Sequence, residues 1–441
     1  MLQAVPFSHI LTKAPNGTIN AQWTCQNNGG SDGIAQISLL NPSVAREAFL
    51  FPTTGVIPPG GQATAGITFE AGSSFFPSPV NSVVLRFNEV LADGSLVRTF
   101  AEHPFTVSMA VPQEVILAFG ENLIHGFTYA RDTLWATTAT TPGKLLRFNS
   151  PLVNLNDYTV LTFPSDGNHN NPAEIIYNPA LDGLHILFSD APGGIHIATI
   201  DPDTLASMAE FHIAGFNAPA FSGLTLAMDH LFVLTKTAPS QLLKINPATG
   251  AVVSVGTLAN MQNGHALTND GAFIYGVGQS MVEPLALIFR ANPDNLGDAL
   301  FQEQVLGEAV LIADDLAVVG GTLWLPIEFT PPGLPTGQLT GVHLSPSGFS
   351  PSRTAAFTGR SLGSFGVGSD GARIWSTWQG APGEIIAHHP VLGDQPLYRA
   401  QFPLGFESTN ELAFTPAGDT IFVSFWAIPA RVARLPNPLF P

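Results

Sequence analysis

QLLKINPATGAVVSVG, residues Gln241–Gly256, decides the fold. It reads as an apolar strand, a turn carried by Asn246-Pro247 and Thr249-Gly250, and a second apolar strand. Proline presets φ for such a turn, and the asparagine before it is expected to bond the turn backbone with its side chain. The same ending closes other strands: LLRFNSP, IHIATIDP, LIFRANP, GVHLSP, IIAHHP and VARLPNP. Ahead of each lies the strongest apolar strand of its unit: TLWATT at Leu134, GLHILF at Leu184, HLFVLT at Leu231, AFIYGV at Phe273, TLWLPI at Leu323, RIWSTW at Ile374 and TIFVSF at Ile421. A weaker strand precedes each of these across a short turn, and a fourth follows the proline turn in most units. The spacing predicts seven four-stranded units of roughly 47 residues. A unit of that kind cannot bury both faces alone, so its neighbours must stack, and radial stacking makes a β-propeller.

The seventh unit lacks its fourth strand within the sequence that follows it. PQEVILAF, Pro112–Phe119, precedes the first unit and has no other role. Val115–Ala118 is therefore expected to pair beside Arg431–Leu435 as the outer strand of the last blade, which closes the ring and removes an exposed edge. Over residues 112–441 the repeat resembles seven-bladed propellers of the YncE, NHL and streptogramin-lyase kind. That resemblance implies a fold shared by binding proteins, lyases, lactonases and scaffolds, so it leaves function open.

Residues 1–110 have a different rhythm. TINAQWTCQ alternates, with Ile19, Ala21, Trp23 and Cys25 on one face. Turn signals at NNGGSDG, at PPGG and at Asp93-Gly94 separate further short strands through Ile37, Ile67, VNSVVLRFNEV and HPFTVSM. This pattern predicts an antiparallel sandwich and resembles the immunoglobulin-like adhesion modules of bacterial surface and phage proteins. The expected class is all-β: a sandwich over 1–110 and a seven-bladed propeller over 111–441.

Composition narrows the partners. Of 441 residues, 16 are Lys or Arg and 33 are Asp or Glu, and the net charge is −17. No basic run is present, so nucleic acid and anionic lipid are not expected partners. Charged residues are 11% of the chain, against about 25% in ordinary globular domains, a surface polar without being charged. The single cysteine excludes an intrachain disulfide and a cysteine metal cluster, and Cys25 reads as a small buried apolar side chain. No signal sequence and no membrane-spanning run is expected.

Two motif matches fail on context. GRSLG, Gly359–Gly363, matches a nucleophile elbow and GVGSDG, Gly366–Gly371, a dinucleotide fingerprint, but both sit between strands where each motif needs a following helix. The stronger candidates are polar residues near the starts of the innermost strands: His125, Glu174, His265, Asp315, Ser364 and Glu411. Innermost strands converge on the axis, so these groups form a candidate tunnel ring for ligand, metal or acid–base work, or for solvation alone. The DGNHNNP loop adds His169, Asn170 and Asn171 as candidate contacts to a glycan or metal. No cofactor is expected. Three functions fit: a non-enzymatic structural and recognition protein of an assembled particle, with a bacteriophage virion the favoured setting; a lactonase-type or lyase-type enzyme acting in the tunnel; and a bacterial surface binding protein. In the first, the partners are other virion proteins and a host glycan or receptor.

Overall fold

The computed structural model describes residues 2–4, 10–12, 19–39, 48–51, 54–69, 80–93, 95–108, 113–189, 193–216, 219–283, 285–297, 302–312, 315–329, 336–345, 348–358, 366–379, 383–388, 396–402 and 406–437. Among these the regular structure is strand throughout, with no α-helix, as the period-2 patterning requires. The chain divides into two compact units. One holds residues 1–111 with Pro396–Gly405 and the final residue; the other holds Pro112–Gln395 with Phe406–Phe440.

The first unit contains two groups of paired strands. In one, Ile19–Asn27 and Gln62–Phe69 run antiparallel at the centre, flanked by Leu2–Ala4 and Ala48–Phe51. In the other, Val80–Val90 pairs on one side with Gly33–Leu39 and on the other with Leu96–Ser108. Ile10–Thr12 runs parallel to Leu96–Ser108 and also parallel to Pro396–Gln401.

The second unit is the propeller. Its first blade is Ile124–Ala130, Thr133–Thr138, Lys144–Ser150 and Asn154–Thr162, paired in chain order and antiparallel throughout. The second is Pro172–Asn178, Gly183–Phe188, Gly194–Ile200 and Ser207–Ala214 in the same order. Later blades repeat the plan from inner strands Pro219–Ala227, Met261–Asn269, Ala317–Val319, Val367–Ser369 and Thr409–Phe414. Each inner strand lies against the next, and the seventh returns to the first, so the described strands close as a seven-membered ring. Closure uses the early strand: Gln113–Ile116 pairs antiparallel with Arg431–Pro436, Val115 opposite Val432, at the outside of the last blade.

The buried apolar residues confirm the stacking. One cluster joins Trp135 and Leu145 of the first blade to Ile186, Phe188 and Ala198 of the second. Another joins Val115, Leu117, Phe127 and Phe148 to Phe422, Ala430 and Val432, so the closing segment is also core. Among the described residues, each of six such clusters lies between two neighbouring blades.

The opening stretch folds as its residues require. Ser240–Ile245 and Val252–Leu258 pair around the turn. The Asn246 side chain accepts from the backbone N–H of Ala248 at 2.9 Å and of Thr249 at 3.1 Å. Gly250 takes φ +68°, and a Cβ there would strike the Phe211 ring of the preceding blade. Asp201 does the work of Asn246 in the second blade, accepting from Asp203 at 2.8 Å and Thr204 at 2.9 Å.

Candidate functional sites

The inner strands do not pair regularly along their whole length. Register breaks fall between Ile124 and Phe127, Pro172 and Glu174, Pro219 and Leu224, Gln262 and Ala266, and Thr409 and Leu412. The predicted ring residues lie at these breaks: His125, His265 and Glu411 inside them, Glu174 where pairing resumes. Asp315 lies two residues before the short inner strand of the fifth blade, and Gly366 one residue before that of the sixth. Ser364 lies outside the described residues.

A bulge releases backbone N–H groups from the ladder, and these must find other acceptors. Gly126 N–H donates to the Thr137 hydroxyl at 2.9 Å, Gly366 N–H to Thr377 at 2.8 Å, and Glu411 N–H to Ser424 at 2.9 Å. The ring carboxylates do the same job. Glu174 Oε1 accepts from Ile175 N–H at 2.9 Å. Asp315 Oδ1 accepts from Leu316 N–H at 2.7 Å, and its Oδ2 from Val367 N–H at 3.0 Å, which ties the fifth blade to the sixth. Asn410 donates to the Ile124 carbonyl at 2.8 Å and ties the last blade to the first. Gly126 and Gly366 are glycines because a Cβ on either would press on the backbone of the next inner strand.

Glu174 and Asp315, from the second and fifth blades, sense each other electrostatically. Burial raises the Glu174 carboxyl well above the usual carboxylate range and the Asp315 charge raises it further, against a lowering by the Ile175 N–H. The group is enclosed by protein yet keeps partial exposure. His125 lies instead against Trp426, ring centroids 4.5 Å apart.

The DGNHNNP loop carries a second constellation. His169 is buried, its ring stacked on Phe163 at 5.6 Å and edge-on to Phe188 at 5.2 Å. Its Nδ1 contacts Asp166 Oδ1 at 2.9 Å, and Asp166 is held in turn by Asn168 N–H at 2.9 Å. Its Nε2 faces His196 Nε2 at 3.2 Å and Glu210 Oε2 at 3.6 Å. His196 comes from the third strand of the second blade and Glu210 from the fourth. His196 is 4% exposed, and burial, aided by His169, pushes its imidazole down to about 4, so it is neutral at pH 7. Asn171 has a backbone role: it takes φ +45°, its N–H donates to the Thr140 carbonyl at 3.1 Å, and its carbonyl accepts from Ser189. Asn170 is half-buried beside it.

Sequence reasoning found His169 but missed His196 and Glu210. Neither sits in a motif. Only strand pairing within the second blade, with the preceding connection folded over it, brings them together.

A surface feature marks the closure seam. Phe119 is 91% exposed, Ile428 64% and Trp426 40%. The segments carrying Phe119 and Ile428 are bonded backbone to backbone, Leu123 N–H to Ala427 O at 3.2 Å and Ala430 N–H to Glu121 O at 2.8 Å.

No family model and no curated protein matches the sequence. Solved structures do match in fold. The chain is similar to Kuenenia stuttgartiensis hydrazine synthase at TM-score 0.58 and 11% identity, covering 74% of this chain and 98% of that one. It is also similar to the β-propeller domain of Myceliophteria thermophila Cps50 (Swd1), at TM-score 0.53 and 10% identity, with the same coverage. With the strand order above, these place the chain in the β-propeller class. Among the described residues no helix is long and apolar enough to cross a membrane.

Proposed function

We propose that the protein is a non-enzymatic structural and recognition component of an assembled particle, a bacteriophage virion being the favoured setting. The first unit, read as an immunoglobulin-like module, anchors it to neighbouring proteins, and the propeller, of the YncE and NHL kind, meets a host glycan or receptor. One observation carries the non-enzymatic reading: two of the three ring carboxylates are engaged by backbone. Glu174 accepts from the Ile175 N–H of its own strand, and Asp315 from Leu316 and Val367 N–H groups, the last bond joining two inner strands as Thr137 and Thr377 do. Recognition is supported by the exposed Phe119, Trp426 and Ile428 at the seam, since a flat aromatic surface beside apolar groups suits a sugar face or an apolar partner. The sparse charge of the chain fits a surface that works against other proteins.

The test is co-sedimentation. Antibody against the chain should label purified particles released from the producing cells, and Trp426→Ala should lower attachment to host cells without removing the chain from the particle. A chain recovered only as free protein overturns the reading.

A second reading has its own support. A carboxyl group whose pKa is raised by burial and by a neighbouring carboxylate is equipped for proton transfer, and Glu174 with Asp315 meets that description. A lactonase or lyase acting at the axis would lose turnover in Glu174→Gln while keeping its fold.

A further inference from the structure

We propose that His169, His196 and Glu210 form a binding site for a zinc-type dication. Their donor atoms, two imidazole nitrogens and a carboxylate oxygen, lie within 4.8 Å of one another. In a tetrahedral zinc site with bonds of about 2.05 Å, ligand atoms stand about 3.3 Å apart. The His169 Nε2 to His196 Nε2 separation is 3.2 Å, and that from His169 Nε2 to Glu210 Oε2 is 3.6 Å. Two imidazoles and one carboxylate suit zinc and its transition-metal neighbours rather than calcium or magnesium, which take oxygen ligands.

The hydrogen bonding points the same way. With His169 Nδ1–H donating to Asp166, its Nε2 is a lone pair, and that lone pair faces the Glu210 carboxylate and the His196 ring. Three acceptor-capable atoms around one point are mutually repulsive until something positive lies between them. A hydrogen from His196 Nε2 relieves one contact and leaves Glu210 opposed, whereas a dication relieves all three. His196 Nδ1 is buried and has no partner among the described residues, so the ring is held only through its Nε2, the atom that faces the cluster. Asp166 on His169 is the carboxylate–histidine arrangement that orients a metal-bound imidazole and raises its basicity. Phe163 and Phe188 wall the inner side, and Glu210, whose side chain is nearly half exposed, forms the open rim. A fourth position remains for water. An ion there would clamp the connection from the first blade onto the third and fourth strands of the second.

The probe is zinc itself, added to full-length protein purified without a polyhistidine tag and stripped with chelator. Equilibrium dialysis with metal analysis should find one tightly bound zinc per chain, and the melting temperature should rise with zinc and fall again with chelator. Glu210→Gln changes a rim residue, so the variant should fold, and it should lose most of the affinity; His196→Gln should abolish it. Asp166→Asn should weaken binding by about 10–100-fold, as loss of an outer-shell partner does. Zinc uptake unchanged in both Glu210→Gln and His196→Gln overturns the site, and so does folded wild-type protein that takes up no zinc.

Discussion

Glu174 shows how a single side chain reports on the ring. Its folded-state pKa lies above the ordinary glutamate value of 4.5, because burial and the Asp315 charge both disfavour the anion. The folded protein therefore keeps a proton that the unfolded chain releases. This contribution to stability is complete below the ordinary value and is lost as pH rises through the raised one. Thermal melts across that window should show wild type losing stability relative to Glu174→Gln, whose amide cannot ionise; parallel pH profiles would refute the assignment. Cys25 gives an independent check on the first unit. It is 2% exposed and burial pushes its thiol up to about 11. A thiol reagent at pH 8 should leave it unmodified in native protein and label it once denaturant is added. At this scale sequence was a partial guide. Convergence of inner strands was enough to name Glu174 and Asp315 together, because that follows from the repeat alone. It could not foresee that their oxygens bond backbone N–H groups at the starts of the inner strands, since such bonds leave no residue signature here.

The turns and bulges decide how each blade is built. Asn246 accepts two backbone N–H groups with one oxygen, and Asn246→Ala should cost about 1 kcal/mol in a denaturant titration. Thr377→Val is harsher. It keeps the shape but leaves the buried Gly366 N–H, now bonded at 2.8 Å, without its acceptor, and the loss should be about 1–3 kcal/mol. If Thr377→Val proves as mild as a surface change, water must replace the hydroxyl. The proline turns were legible because proline and asparagine act through their own backbones, within a few residues. The His169 cluster was not, because its members stand on a connection and two strands that meet only after the second blade has paired.

Ring closure is the property of the whole chain. Val115 is buried in the core shared by the first and last blades. Val115→Asp places an unpaired charge there, and the cost should exceed about 3 kcal/mol. It would also uncover the edge of Arg431–Pro436, so size-exclusion chromatography with light scattering should detect association through that strand. A variant that stays monomeric with an unchanged melting temperature would show that the seam contributes little. The unit count and the closing strand could both be worked out beforehand, since a repeat short by one strand must borrow it. The parallel pairing of Ile10–Thr12 with Pro396–Gln401 could not, because so short an apolar run names no partner.

The seam also sets a schedule for biosynthesis. The segment at Gln113–Ile116 leaves the ribosome before the first blade, but its mate at Arg431–Pro436 arrives only after six others have emerged. Until then the first blade's flank has no cover from Phe422 or Val432, and the nascent arc carries sticky apolar surface at both ends. Stalled or prematurely released chains should therefore be the ones that chaperones and proteases capture, whereas a circular permutant opened between two central blades would shift that vulnerable interval elsewhere.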